Sequence, residues 1–248
     1  MEKSVEFKWN PEEFPFLLAS CKYDDGVQLS LKYMTDKDFT ILEAGCGSGR
    51  VVKYLSDLGY KNVCGIEITD EIVRVQKNRY PELKICQGDI LKMQYEESFF
   101  DVVVSYGVVE HFPGGLEAPL QAIFRVLKPG GVAIITVPSL NTLRQIKHFF
   151  SRFFYFCKIR ENNYIRKRLN KTPLPPNKNC GGYLYYVYPR FGDFFEYRLK
   201  PRQFEDLCIK TGFEILQSIP IAHIDGLYHE SGTLFRSFSW DLGIGHFR

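Results

Sequence analysis

From Phe39 to Pro138, short apolar runs alternate with stretches whose apolar residues recur every three or four positions. The runs are FTILEA (39–44), NVCGIE (62–67), LKICQG (83–88), FDVVVSY (100–106) and GVAIITVP (131–138), each of strand length. Between them Arg50–Leu58, Asp70–Arg79 and Leu116–Leu127 carry the helical period. Strands alternating with helices predict parallel βαβ units. The expected fold class is therefore α/β: a Rossmann-like, doubly wound, mostly parallel sheet buried on both faces. Ahead of it, Glu12 to Met34 mixes apolar and polar positions as one or two helices do. Residues 1–38 are thus read as an N-terminal helical segment and 39–138 as the core.

After Pro138 the pattern changes. Ser139–Arg168 is aromatic and basic, TPLPPNKNCGG (172–182) reads as loop, and YLYYVYPRFGDFFEYR (183–198) is strand-like. KPRQFEDLCIKTGF (200–213) predicts a helix with Pro201 in its first turn and Gly212 ending it. FEILQSIPIAHI (213–224) predicts a further strand, and the tail from Gly232 holds enough apolar residues for a last one. Residues 139–199 are accordingly expected to form an inserted cap that meets the substrate, and 200–248 to complete the core.

Composition narrows the class. A hydrophobic share of 45% and a charged share of 25% are globular values. No run reaches the roughly 18–20 apolar residues of a spanning helix, and the first residues lack signal-peptide order, so a cytoplasmic location is expected. The seven cysteines include no C-x-x-C pair, which fits neither a zinc site nor a disulfide framework. The net charge of +3 hides an asymmetry: residues 144–202 hold 14 Lys/Arg against Glu161, Asp193 and Glu196. Such a basic segment suits an anionic substrate, a membrane surface or nucleic acid.

Candidate chemistry begins where the first strand meets the first core helix. Glu43-Ala44-Gly45-Cys46-Gly47-Ser48-Gly49 places closely spaced glycines there, so the backbone turns tightly and a ligand approaches without a Cβ in the way. An ordinary strand–helix turn is the plain alternative. Glu67 ends the next strand, where a carboxylate accepts from both hydroxyls of a ribose. Asp89 follows the third strand, either as a turn-forming acid or as an acceptor for an adenine amino group with Ile90 packed on the ring. A dehydrogenase would want G-x-G-x-x-G, whereas the spacing here is G-x-G-x-G.

Together these motifs resemble the class I S-adenosylmethionine-dependent methyltransferases, in the branch that includes quinone and small-molecule enzymes. The resemblance rests on ILEAGCGSG (41–49), GIEIT (65–69), QGDI (87–90), FDVVVSYGVVEHF (100–112) and VLKPGGVAIITVP (126–138), and returns in YRLKPRQFEDLCIKTGFEI (197–215). It implies S-adenosyl-L-methionine as cofactor and S-adenosyl-L-homocysteine as product. It also implies a cofactor site made of Glu43, Gly45, Cys46, Gly47, Gly49, Glu67, Ile68, Asp89, Ile90, Ser105 and Tyr106. Glu110 and His111, after the fourth strand, are the candidate catalytic residues, and His111 is either a general base or a pocket-shaping side chain. Gly107 stands where a third, metal-binding carboxylate would be needed beside that pair, so no metal is expected.

The resemblance implies methyl transfer to a small-molecule or lipid-like acceptor, with oxygen the leading atom. An RNA or protein methyltransferase and a non-catalytic binding protein are the alternatives. In the cap, Phe149, Phe150, Phe153, Phe154, Tyr155 and Phe156 sit among Lys and Arg. They either hold an anionic acceptor, touch a membrane through 144–168, or pack the cap's own core. Nucleic acid is the weaker partner, because no RNA-binding module accompanies the basic stretch.

Overall fold

A computed structural model of the chain describes residues 10–139, 163–168, 184–187, 194–221 and 242–247. Two short helices, α1 (Phe14–Ser20) and α2 (Asp25–Leu31), precede the core. Asp24 starts α2 by accepting from the backbone N–H of Gly26 at 3.0 Å and of Val27 at 3.2 Å, as an N-cap does. Then β1 (Thr40–Ala44), α3 (Arg50–Asp57), β2 (Asn62–Glu67), α4 (Asp70–Arg79), β3 (Lys84–Gln87), β4 (Phe100–Tyr106), α5 (Glu117–Val126) and β5 (Leu127–Thr136) follow in the expected alternation.

The five strands pair in parallel in the order β3-β2-β1-β4-β5. Alternate residues face opposite layers. Val102, Val104 and Ile134 join one apolar cluster with Val51, Val52 and Leu55 of α3. Val103, Ala133 and Ile135 join the other with Leu120 and Ile123 of α5. That two-sided burial is why the strands read as unbroken apolar runs.

The fifth strand departs from the sequence reading. Strand β5 begins at Leu127, four residues before GVAIITVP, and Leu127 pairs with Phe100. Pro129-Gly130-Gly131 reads as a turn, but it is absorbed inside the strand, with Gly130 at φ +77° and a register shift opposite between Phe100 and Val102. The tail supplies a seventh strand of the main sheet. There α6 (Asn163–Arg168), β6 (Leu184–Val187), β7 (Phe194–Arg198), α7 (Pro201–Thr211) and β8 (Ile215–Pro220) lead to β9 (Leu242–Phe247). Strand β9 inserts antiparallel between β5 and β8. Helix α7 ends as expected, with Gly212 at φ +116° donating to the Cys208 carbonyl at 3.2 Å.

Most of the expected cap lies outside the described residues. Within it, β6 and β7 form a separate antiparallel pair. Its two ends meet, because Ser139 and Leu199 form a parallel bridge.

Candidate active site

The carboxyl ends of β1, β2, β3 and β4 open onto one cleft of about 890 Å³, counting its solvent-facing mouth. At the end of β1 the chain reverses through Gly45, at φ +82°. A Cβ there would lie 2.6 Å from Val108 Cγ1, so only glycine fits. The N–H groups of Gly45 and Cys46 both donate to the Ile66 carbonyl at 2.9 Å, which ties this loop to β2. Gly49, at φ +73°, starts α3 with its Cα against Ile85, whose Cδ1 would sit 2.4 Å from an added Cβ.

Glu67 holds both sides of the floor. Its Oε2 accepts from Gly47 N at 2.9 Å and its Oε1 from Thr69 N at 3.0 Å. Each carboxylate oxygen keeps a further lone pair for a ribose hydroxyl. Asp89 Oδ1 accepts from Leu91 N at 2.9 Å, leaving Oδ2 for an exocyclic amine, while Ile68 and Ile90 add apolar walls. These side chains fit an adenosyl group.

The expected residues divide by position. Gly45, Gly47, Glu67, Ile68, Asp89, Ile90, Tyr106 and His111 line the cleft. Glu43, Cys46, Gly49 and Ser105 stand behind it. Glu43 Oε2 accepts from Val52 N at 3.2 Å beneath the glycine loop, and burial pushes its carboxyl up to about 8, with Arg50 pulling the other way. Ser105 is fully buried and donates to the Ala44 carbonyl at 3.1 Å, clamping β4 to β1. Glu110 is buried behind the wall that His111 lines. Its carboxyl lies well above the usual range because of burial, and Glu196 adds to the shift.

The cleft also contains Ile66, Gly88, Gly107, Val108 and Phe112, which lie within the quoted motifs but were not among the candidate site residues. Gly107, Val108 and Phe112 flank the Glu110–His111 pair in sequence, and that proximity was the available signal. No pattern tied the N-terminal helices to the site. Yet Ser30 Oγ shares a 2.6 Å hydrogen bond with Tyr106 Oη, and Arg50 pairs with Asp24 at 2.6 Å. Among the described residues, no group of three or more His, Cys, Asp or Glu is placed to hold a metal, and no helix is long and apolar enough to cross a membrane.

A glycine loop, a ribose-type carboxylate and an order of 3-2-1-4-5 extended by a reversed strand define a Rossmann-like methyltransferase class. Residues 42–135 match the family model described as a methyltransferase domain. A "Probable S-adenosylmethionine-dependent methyltransferase" of Mycolicibacterium smegmatis is 32% identical over 102 residues, 41% of this chain and 39% of that protein. A sterol 24-C-methyltransferase of Pneumocystis carinii is 33% identical over 101 residues, 38% of this chain and 26% of that protein. The solved magnesium protoporphyrin IX methyltransferase of Synechocystis, with bound SAH, has a TM-score of 0.59 at 13% identity, covering 98% of this chain and 90% of that one. Residues 42–135 therefore carry a methyltransferase domain, and the sheet around them has the class I S-adenosylmethionine-dependent methyltransferase fold. The chain spans well under half the length of either curated relative.

Proposed function

We propose that the chain is an S-adenosylmethionine-dependent enzyme that methylates a small-molecule or lipid-like acceptor at oxygen, with His111 taking the proton. The observation that carries this reading is the single cleft that joins Glu67 and Asp89 on the β2–β3 side to His111 on the β4 side. The cofactor supplies an electrophilic methyl group, and its transfer is an in-line displacement that depends on alignment and exclusion of water. Gly45 and Gly47 let the backbone approach, Glu67 holds the ribose, and Asp89 with Ile90 holds the adenine. His111 stands where an acceptor hydroxyl must lose its proton. A sterol and a porphyrin in the names of two similar proteins support a small, largely apolar acceptor. The sterol enzyme's name, which specifies carbon, favours a carbon acceptor as the second reading.

Calorimetry with S-adenosylhomocysteine tests the cofactor half. Glu67→Ala removes two charge-assisted hydrogen bonds of about 1.5–3 kcal/mol each, so affinity drops at least about tenfold. Unchanged affinity in the folded variant places the ribose elsewhere. Sterols, quinols and porphyrins screened with methyl-labelled cofactor test the acceptor half. With an acceptor found, His111→Ala lowers turnover by roughly 10²–10⁴-fold and leaves cofactor affinity almost unchanged. Wild-type turnover in that variant removes the proton-taking role.

A further inference from the structure

Helix α2, outside the core, reaches the cleft through one hydrogen bond. Tyr106, at the end of β4, lines the cleft, and its Oη shares a 2.6 Å hydrogen bond with Ser30 Oγ of α2. Ser30 is 1% exposed and gives its hydroxyl proton to the Gly26 carbonyl at 2.7 Å. The proton in the 2.6 Å bond therefore belongs to Tyr106, which donates. Burial pushes the Tyr106 phenol far above its ordinary value, so it keeps that proton and the direction of the bond does not change with pH. Gly26 permits the contact, since a Cβ there would lie 3.3 Å from Cε1 of the Tyr106 ring and 3.4 Å from its Cδ1. The start of α2 is held to the glycine loop, because Asp24 caps the helix and pairs at 2.6 Å with Arg50, the residue after Gly49.

The strand order β3-β2-β1-β4 sets the cleft residues in a row: Asp89 follows β3, Glu67 ends β2, Gly45 follows β1 and Tyr106 ends β4. A ligand whose adenine meets Asp89 and whose ribose meets Glu67 carries its remaining atoms toward Gly45 and Tyr106. In S-adenosylmethionine those atoms are the sulfonium and the amino-acid tail. We propose that Ser30 is a positioning residue for that end of the cleft, holding the Tyr106 side chain against α2 and clear of the space the tail occupies. The proposal rests on the reading of the cleft as a cofactor site. Without the Ser30 hydroxyl the phenol is a buried donor with no acceptor, which is worse for the fold than having no donor there. It regains a partner by turning toward the solvent-open cleft, where it meets the tail.

The test compares two ligands by calorimetry on the full chain: S-adenosylhomocysteine, which has the amino-acid tail, and methylthioadenosine, which lacks it. Ser30→Ala is expected to weaken S-adenosylhomocysteine about tenfold and to leave methylthioadenosine within about twofold. A general loosening of the fold would weaken both alike. Adding Tyr106→Phe to Ser30→Ala recovers most of the loss, because it removes the donor left without a partner. Gly26→Ala favours the helix and crowds the ring from the side of α2, so it too weakens S-adenosylhomocysteine selectively. Thermal melts establish that each variant is folded, and Gly26→Ala carries the test if Ser30→Ala does not fold. Equal loss for the two ligands, or no loss, in the folded variant overturns the proposal, as does a double variant no better than Ser30→Ala. If neither ligand binds wild type, the cofactor reading itself fails and takes the proposal with it.

Discussion

Glu43 shows how a residue can belong to a site without touching the ligand. It is 5% exposed beneath the glycine loop, with its carboxyl pushed from the ordinary 4.5 to about 8. Below about pH 4.5 the folded and unfolded chains both carry this proton. Between about 4.5 and about 8 only the folded chain keeps it, so its contribution to stability declines as pH rises through that window. Glu43→Gln can still accept from Val52 N and has no proton to lose. Urea denaturation across this range is expected to show wild type losing stability relative to Glu43→Gln as pH rises. Parallel curves would mean the carboxyl is ionised throughout. The two cleft-lining acids were legible at this scale, because Glu67 ends the second strand and Asp89 follows the third. Ser105 and Glu43 were placed in the right region but work behind the cleft. Glu196 was legible only as one acid in a basic stretch, since its relation to Glu110 exists only after β7 packs on a turn some 86 residues earlier in the chain.

At the scale of elements, Arg50 joins the N-terminal helices to the glycine loop. It follows Gly49 directly and reaches Asp24 at 2.6 Å, Ser20 Oγ at 3.3 Å and Cys21 Sγ at 3.4 Å. Asp24 also caps α2, so one carboxylate serves both the helix start and the contact with α3. Arg50→Ala is expected to cost about 1–3 kcal/mol through the partly buried acid it leaves behind. Hydrogen exchange locates that loss: amides of α1 and α2 exchange faster while those of β1 and β4 do not. Uniform loss of protection would show instead that these helices unfold only with the sheet. Helix α4 was legible to the residue and β4 likewise, because burial on a fixed face leaves a period. Strand β5 was not, because Gly130 and Gly131 look the same in a turn and in a bulge. The limits and place of strand β9 were hidden for a different reason: its position between β5 and β8 is decided by partners 22 and more residues away, not by its own pattern.

For the whole molecule the charge division is the feature to test. On the proposal that 139–199 caps the acceptor, its excess of Lys and Arg addresses an anion and leaves the cofactor alone. Arg166, Lys167 and Arg168 lie on α6, with Arg168 5.2 Å from the Tyr164 ring centroid. Replacing all three by alanine is expected to raise the acceptor's KM several-fold and to weaken its salt dependence. S-adenosylhomocysteine affinity stays within about twofold, because the residues of that site come from β1 to β4. Loss of cofactor binding in a folded triple variant would assign the segment to the nucleotide instead.

The bridge between Ser139 and Leu199 has a consequence for how such a molecule diversifies. The main chain leaves the sheet after β5 and returns before α7 at adjacent points, so the sheet itself holds the ends of the excursion together. Closing a longer excursion between fixed ends costs only about 0.6 kcal/mol for each doubling of its length. The intervening stretch is therefore free to grow, shrink or be exchanged over generations while Gly45, Glu67 and Asp89 keep their places. Selection on a new acceptor and selection to retain the old cofactor then act on different parts of one chain, and neither needs to wait for the other.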